Sequence, residues 1–177
     1  MSNGARSSQI IELVAQFAEL LYRYAYRLTG NAADADDLTQ QTFLRAQQRG
    51  HQLRDTAAAK SWLFAIMRNS FLTSRRHVGI VQSLDQISDP VSLAEPPEAV
   101  VDSEELQAAL LELPEEFRSP LILFYFDEFS YQQIADQMGL PIGTVMSRLS
   151  RAKAFLRKRL SFEMGVSEPR IRERIAT

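Results

Sequence analysis

The residues best suited to chemistry are cationic and hydroxyl side chains that occur together between positions 141 and 160. This stretch contains six basic residues and no acidic one, and Thr144, Ser147 and Ser150 lie among its arginines. Arginine can donate two hydrogen bonds to a guanine edge, and serine or threonine can bond to bases or phosphates. The composition therefore predicts a contact with nucleic acid, although a solvated basic helix in a helical bundle would have a similar composition.

The net charge of the whole chain, −2, conceals a strong segregation of charge. Positions 78–116 carry ten acidic residues and no lysine or arginine, and the basic stretch follows them. Electrostatic binding depends on local patches, so the small negative total does not argue against a nucleic-acid partner.

Residues for catalysis are scarce. The chain has no cysteine, and its two histidines, His51 and His77, have no evident partner. No Gly-rich phosphate loop and no His-Glu-x-x-His pattern occurs. The acids Asp34 and Asp37 suit the first turn of a helix, where the helix dipole favours them. We expect no enzymatic activity, no metal site, no cofactor and no small-molecule substrate.

Targeting signals are also missing from the sequence. The N-terminus lacks a basic segment followed by an apolar core, and no apolar run approaches the ~20 residues that span a bilayer. These features predict a cytoplasmic protein without direct membrane insertion.

The elements that position the polar residues are predicted to be helices. Apolar residues recur at three- and four-residue spacing over positions 10–28 and 59–76, with a polar loop at 49–58 before the second of these segments. Gly30 and Asn31 mark the end of the first helix and the cap of another that runs to about position 48. Further along the chain, Pro114 and Pro120 are each expected to break the helical pattern, Pro120 in the first turn of a new helix.

The predicted fold class is all-α, with two small helical domains joined by a flexible linker. The region around positions 79–101 contains three prolines, scattered acids and no helical period, which is typical of a linker. It could be a simple spacer or could screen the basic helix. The boundaries are an N-terminal domain at 1–78, the acidic linker at 79–101, a C-terminal domain at 102–162 and a tail at 163–177.

The C-terminal domain contains a helix-turn-helix pattern. Ser130 and Gln133 have capping-box spacing, Gly139 supplies a turn, and a second helix begins near Pro141. At ~100° per residue, the apolar residues of the second helix fall on one side and its hydroxyl and basic residues on the other, with Met146 off the outward face. The predicted DNA-binding residues are Ser130, Thr144, Ser147, Arg148, Ser150, Arg151 and Arg157.

Three segments resemble a known family. The string LPEEFRSPLILFYFDEFSYQQIADQMGLPIGTVMSRLSRAKAFLRKRL is similar to the promoter-reading domain of the extracytoplasmic-function (ECF) sigma factors of bacterial RNA polymerase. LYRYAYRLTGNAADADDLTQQTFLRA resembles the family's polymerase-binding segment, and AKSWLFAIMRNSFLTSRR resembles its promoter-melting segment. The three occur in the family's order and spacing.

The resemblance implies that the C-terminal domain binds the −35 promoter element and that the N-terminal domain binds core RNA polymerase and opens the −10 element. It also implies an anti-sigma factor, which no residue identifies. The implied polymerase-binding residues are Asp37, Gln40, Gln41 and Leu44. The implied −10 residues are His51, Gln52, Asp55, Arg68, Asn69, Arg75 and Arg76.

Interpretations without a binding function remain open for Leu44 and Trp62. A single exposed leucine such as Leu44 needs no functional explanation outside this family. Trp62 could stack on a base, but it shares an apolar helix face with Ile66 and is predicted to be core.

Two other functions remain open. A sigma mimic that titrates an anti-sigma factor would share the architecture, although it would not need an intact basic helix. An autonomous helix-turn-helix regulator would bind DNA without polymerase, usually as a dimer.

Overall fold

The computed structural model describes residues 3–78 and 104–163, with side chains described for 10–75 and 104–160. These ranges are helical and contain no β-strand, which confirms the all-α prediction. The helices are α1 (Asn3–Thr29), α2 (Ala32–Arg49), α3 (Ala59–Val78), α4 (Glu104–Glu112), α5 (Glu115–Tyr125), α6 (Tyr131–Met138) and α7 (Ile142–Glu163), with two 3₁₀ turns (Gly50–Gln52 and Thr56–Ala58) between α2 and α3. The predicted linker and all but the first residue of the predicted tail lie outside the described residues.

Helices α1, α2 and α3 form the N-terminal half around a core of large side chains. Tyr24, Leu28, Phe64 and Met67 are at most 1% exposed. Helix α1 ends before Gly30, which adopts a φ of 84°, and the Asn31 side chain then accepts a hydrogen bond from the backbone of the following helix, as its sequence position predicted. These signals are local, so the helix boundaries agree closely with those expected from the sequence.

The break predicted at Pro120 is wrong. Pro114 does precede a helix, as its N-cap, but α5 continues from Glu115 through Pro120 to Tyr125. Proline lacks the N–H that would bond to the carbonyl of Glu116 one turn earlier, so the helix loses one hydrogen bond there. Because Leu121, Ile122 and Leu123 just after it are fully buried, their packing holds α5 together across that gap.

The two halves pack against each other. The ring of Phe129, in the segment between α5 and α6, lies 5.2 Å from the ring of Phe64, which lies 5.0 Å from Tyr24. One cluster of buried apolar residues includes members from both halves.

Candidate nucleic-acid interface

Helices α6 and α7 form the predicted helix-turn-helix. The Ser130 hydroxyl accepts a hydrogen bond from the backbone N–H of Gln133 at 3.2 Å, and the Gln133 side chain accepts one from the backbone of Ser130 at 2.8 Å. This reciprocal capping box fixes the start of α6. Gly139 ends the helix with a φ of 65°, and Leu140 bonds back to the Ala135 carbonyl at 3.0 Å. Ser130 therefore has a structural role in addition to the DNA contact predicted for it.

One side of α7 faces the core and the other faces solvent. Val145 and Ala152 are fully buried, Leu149 is 5% exposed, and Leu156 packs partly buried against the same cluster. The inward face was therefore predicted correctly. The predicted outward residues differ in exposure: Ser147 and Arg151 are exposed, whereas Thr144, Arg148, Ser150 and Arg157 are half-buried.

Met146 is a candidate contact residue that the sequence interpretation left out. Its side chain is 38% exposed, and Ile142, one turn earlier, is 44% exposed. The first turns of α7 are thus exposed on the side of Ile142 and Met146, whereas Thr144 and Arg148 on the other flank are half-buried. An exposed apolar side chain on a helix in the major groove can contact the methyl group of thymine.

Acidic residues of the same domain neutralise part of the basic strip. Arg148 donates to Glu116 at 2.9 Å, and Arg159 donates to both carboxylate oxygens of Glu112 at 3.0 Å. Within the described residues, Arg151 and Lys158 have no ion pair and are exposed. They are the cations of α7 that are most available to a ligand.

The predicted polymerase-binding residues share one exposed face of α2. Asp37, Gln40, Gln41 and Leu44 all face solvent, and Leu44 is 59% exposed. Their spacing of three and four residues brings them together on the helix surface. The opposite face of α2 is buried through Leu38 and other residues.

Several of the predicted −10 residues face solvent. His51 and Gln52 lie exposed in the first 3₁₀ turn, and Asn69 is exposed on α3. Asp55 is also exposed, and its carboxylate caps the second 3₁₀ turn by accepting from the backbone of Ala57 at 2.9 Å.

The remaining −10 candidates are placed differently. Arg68 is largely covered and donates to Glu115 of α5 at 3.1 Å. Arg75 lies 5.4 Å from the ring of Phe71, and the side chain of Arg76 lies outside the described residues. Of this set, Arg68 is thus held at the contact between the two halves, whereas His51, Gln52, Asp55 and Asn69 face solvent.

Two buried ionisable groups at that contact were missed by the sequence interpretation. Burial, with a further contribution from nearby Arg75, lowers the pKa of Arg118 to about 10. Burial raises the pKa of Asp127 to about 7, against the opposing effect of Lys60 and two arginines. No local pattern in the sequence indicates that either residue is buried.

The described part of the chain contains no cluster of three or more potential metal ligands among His, Asp and Glu. None of its helices is long and apolar enough to cross a membrane. Trp62 is half-buried against the apolar cluster, which agrees with the core role predicted for it.

The two halves correspond to two family models. Residues 13–79 match the model described as Sigma-70 region 2, and residues 103–156 match Sigma-70, region 4. The chain is therefore a sigma factor of the sigma-70 class, with region 2 preceding region 4.

Individual relatives identify the group of sigma factors to which the chain is similar. The chain is 41% identical over 157 residues to the ECF RNA polymerase sigma factor SigE of Mycolicibacterium smegmatis, covering 85% of this chain and 61% of that protein. It is 38% identical over 169 residues to SigL of Mycobacterium tuberculosis, covering 93% of this chain and 95% of that protein. The solved sigma factor RpoE of Bartonella quintana, in complex with the anti-sigma factor NepR, is 26% identical with a TM-score of 0.67, covering 87% of this chain and 95% of that one. This protein belongs to the ECF sigma factors, which direct RNA polymerase in transcription initiation.

Proposed function

We propose that α7 reads the −35 element in the major groove, and that the 3₁₀ segment together with α3 engages the −10 element. The observation that carries this proposal is the exposed outer face of α7. It presents Ser147, Arg151 and Lys158 from a helix with no acidic residue between positions 141 and 160. A helix of this kind can enter the major groove and contact both bases and phosphates.

The exposed face of α2 is proposed to bind core RNA polymerase. Leu44 projects from a surface of polar side chains, with Gln40 one turn earlier and Asp37 two turns earlier. An apolar anchor surrounded by hydrogen-bonding groups is typical of a protein-binding surface.

An anti-sigma factor and a cytoplasmic location complete the proposal. RpoE of Bartonella quintana was crystallised with an anti-sigma factor, and its likeness to this chain supports a similar partner here. DNA and polymerase are cytoplasmic, so the function places the protein there. We assign no catalytic step to this chain, because the polymerase forms the phosphodiester bonds.

The test is transcription by core RNA polymerase reconstituted with the full chain on fragmented chromosomal DNA of the source bacterium. We expect new 5′ ends that share two upstream elements. Arg151→Ala should lower discrimination at one −35 base pair by about 1–3 kcal/mol. Lys158→Ala is the matched control, and it should weaken binding to all sequences about equally. Equal behaviour of the two variants would contradict base reading by Arg151.

The polymerase assignment has its own test. Leu44→Ala should weaken binding to core polymerase by about 2 kcal/mol or more if Leu44 is a central anchor. Ile11→Ala, which truncates another exposed apolar residue on α1, serves as the control. Normal loading of the Leu44 variant would contradict the assignment.

The same reconstitution separates the alternatives. A sigma mimic would give no promoter-dependent transcript and would still bind an anti-sigma factor. An autonomous regulator would shift promoter DNA strongly without polymerase.

A further inference from the structure

The first two turns of α7 carry two large apolar side chains that the domain core does not use. Ile142 and Met146 are four residues apart, so their side chains are neighbours on the helix surface. Both are exposed, and neither belongs to the apolar cluster of the described residues or packs against it. The core contacts of these turns come instead from Val145 and Leu149, which are buried. We call Ile142 and Met146 the apolar edge of α7.

The apolar edge is unusual among the exposed residues. Six large apolar side chains are exposed in the part of the chain that the structure describes, and Ile142 and Met146 are the two that neighbour each other on one helix. A single exposed apolar residue needs no explanation, whereas adjacent ones indicate a contact surface. The apolar edge therefore calls for a partner.

The charge around the apolar edge selects the kind of partner. Positions 141–160 contain no acidic residue, and Arg151 and Lys158 are exposed without an ion pair to another described residue. Such surroundings favour a polyanion over an apolar groove of another protein. Duplex DNA is a polyanion that also offers apolar groups, because the C5-methyl group of each thymine projects into the major groove.

The surface between the apolar edge and Arg151 permits a close approach to DNA. On a helical wheel it consists of Gly143, Ser147 and Ser150, which are small. A β-carbon added at Gly143 would meet no atom within 4 Å, so the space in front of this turn is open. The helix backbone can therefore come near the base edges, and the flexible side chain of Met146 can adapt to an apolar group there.

We propose that Met146, supported by Ile142, is a specificity-determining residue that contacts the methyl group of a thymine in the −35 element. Met146 and Arg151 are separated by about 7.5 Å along the helix axis, at 1.5 Å per residue. This distance corresponds to about two base pairs at ~3.4 Å per pair. The thymine should thus lie about two base pairs from the pair that Arg151 contacts. The inference rests on the proposed function of α7 and adds the identity of one base to it.

Deoxyuridine in place of thymidine tests the methyl contact directly, because the two nucleosides differ only in that methyl group. Each thymine of the −35 element, on either strand, is replaced in turn, and binding of core polymerase loaded with the full chain is measured by competition at one fixed salt concentration. One replacement should weaken binding by about fourfold, as expected for the loss of one buried methyl group. An element without a thymine at this spacing, or equal binding of all the substituted duplexes, would overturn the inference.

Variants of Met146 assign the contact to a residue. Met146→Ala should reduce the ratio of thymidine to deoxyuridine affinity at that position from about four to about one, whereas Met146→Leu should keep most of it. Lys158→Ala is the matched control on the same helix: it should weaken binding to both duplexes and leave their ratio unchanged. An unchanged ratio in Met146→Ala would overturn the role of Met146. Because Met146 is exposed, its replacement should leave the fold intact, which urea denaturation checks.

The outcomes also separate this inference from the proposed function. Discrimination by Arg151 at one −35 base pair together with equal affinity for thymidine and deoxyuridine would overturn the methyl contact and leave the proposed function standing. Loss of all −35 discrimination would contradict both. If Met146→Ala weakened binding to core polymerase in the absence of DNA and left the ratio unchanged, the apolar edge would be a protein contact and the inference would be wrong.

Discussion

Two adjacent glutamates at the start of α5 serve different parts of the molecule. Glu115 pairs with Arg68 of the N-terminal half, whereas Glu116 pairs with Arg148 on the helix proposed to read the −35 element. The first pair is mostly covered by the contact between the halves, and the second is more exposed, at 22% and 45%. Neighbouring residues on a helix point about 100° apart, so one short acidic turn supplies a counter-charge to both proposed DNA-binding surfaces.

Arg68 and Arg148 carry the same charge, but a ligand can reach them with different ease. Releasing Arg148 needs only a side-chain movement at the surface, where an ion pair contributes little. Releasing Arg68 needs the movement of a domain. The two proposed DNA-binding surfaces should therefore respond differently to variants that weaken the contact.

The largest effect is expected at the aromatic centre. Phe129→Ala should lower the free energy of unfolding by about 3–5 kcal/mol, because it removes a large buried ring and leaves a cavity. Urea denaturation measures this, and two separate transitions in place of one would show that the halves have become independent. Exposed Tyr26→Ala is the control. A loss below ~1 kcal/mol would contradict the central place of Phe129.

An intermediate effect is expected from freeing the surface arginine. Glu116→Gln releases Arg148, which should add about one phosphate contact and steepen the dependence of DNA affinity on salt by about one unit. Fluorescence anisotropy over a salt series measures the slope. Glu105→Gln removes an exposed acid that has no ion pair with another described residue, and it corrects for the change in net charge. Equal slopes would indicate that Arg148 does not reach DNA.

The smallest effect is expected from pH. Burial raises the pKa of Asp127 from the usual 3.8 to about 7, and this exceeds the opposing effects of Lys60, Arg27 and Arg23. A carboxyl group whose pKa is raised in the folded state stabilises that state fully when the pH lies below the group's ordinary pKa. This contribution is lost as the pH rises through about 7. The free energy of unfolding of the wild type should therefore fall between pH 5 and pH 8. Asp127 contributes part of that fall, and the Asp127→Asn variant should lack this part.

The difference between the wild type and Asp127→Asn is the quantity to measure, because the subtraction removes the pH dependence that comes from all other groups. Asp136→Asn, which alters an exposed acid on α6, is the control. An identical pH dependence for wild type and Asp127→Asn would contradict the raised pKa.

Most of the fold could be predicted because its signals are local. The capping box at Ser130, the turn at Gly139 and the apolar face of α7 each depend on residues within a few positions of one another. The continuation of α5 through Pro120 was missed because tertiary packing outweighs one lost hydrogen bond. The contact between the halves was missed for a different reason: Arg68 and Glu115 are 47 positions apart, and Arg118 and Leu28 are 90 apart.

The residues of the candidate sites also divide into those that local sequence signals predict and those that depend on a second domain. The exposed faces of α2 and α7 follow from helical periodicity, so their residues could be proposed from the sequence. The covering of Arg68 depends on a second domain, and nothing in the sequence around α3 indicates it. The roles of the polymerase-binding and −10 residues stay predictions.

Gly30 gives the contact between the halves a genetic consequence. Its φ of 84° suits the turn after α1, and a β-carbon there would lie 2.4 Å from the side chain of Leu111 on α4. Any other residue at this position would strain the turn, and the terminal methyl group of Leu111 would have to move aside. Substitutions at Gly30 should therefore be recovered as destabilised alleles that cost about 1–3 kcal/mol, and Leu111→Ala should relieve only the part of that loss that comes from crowding.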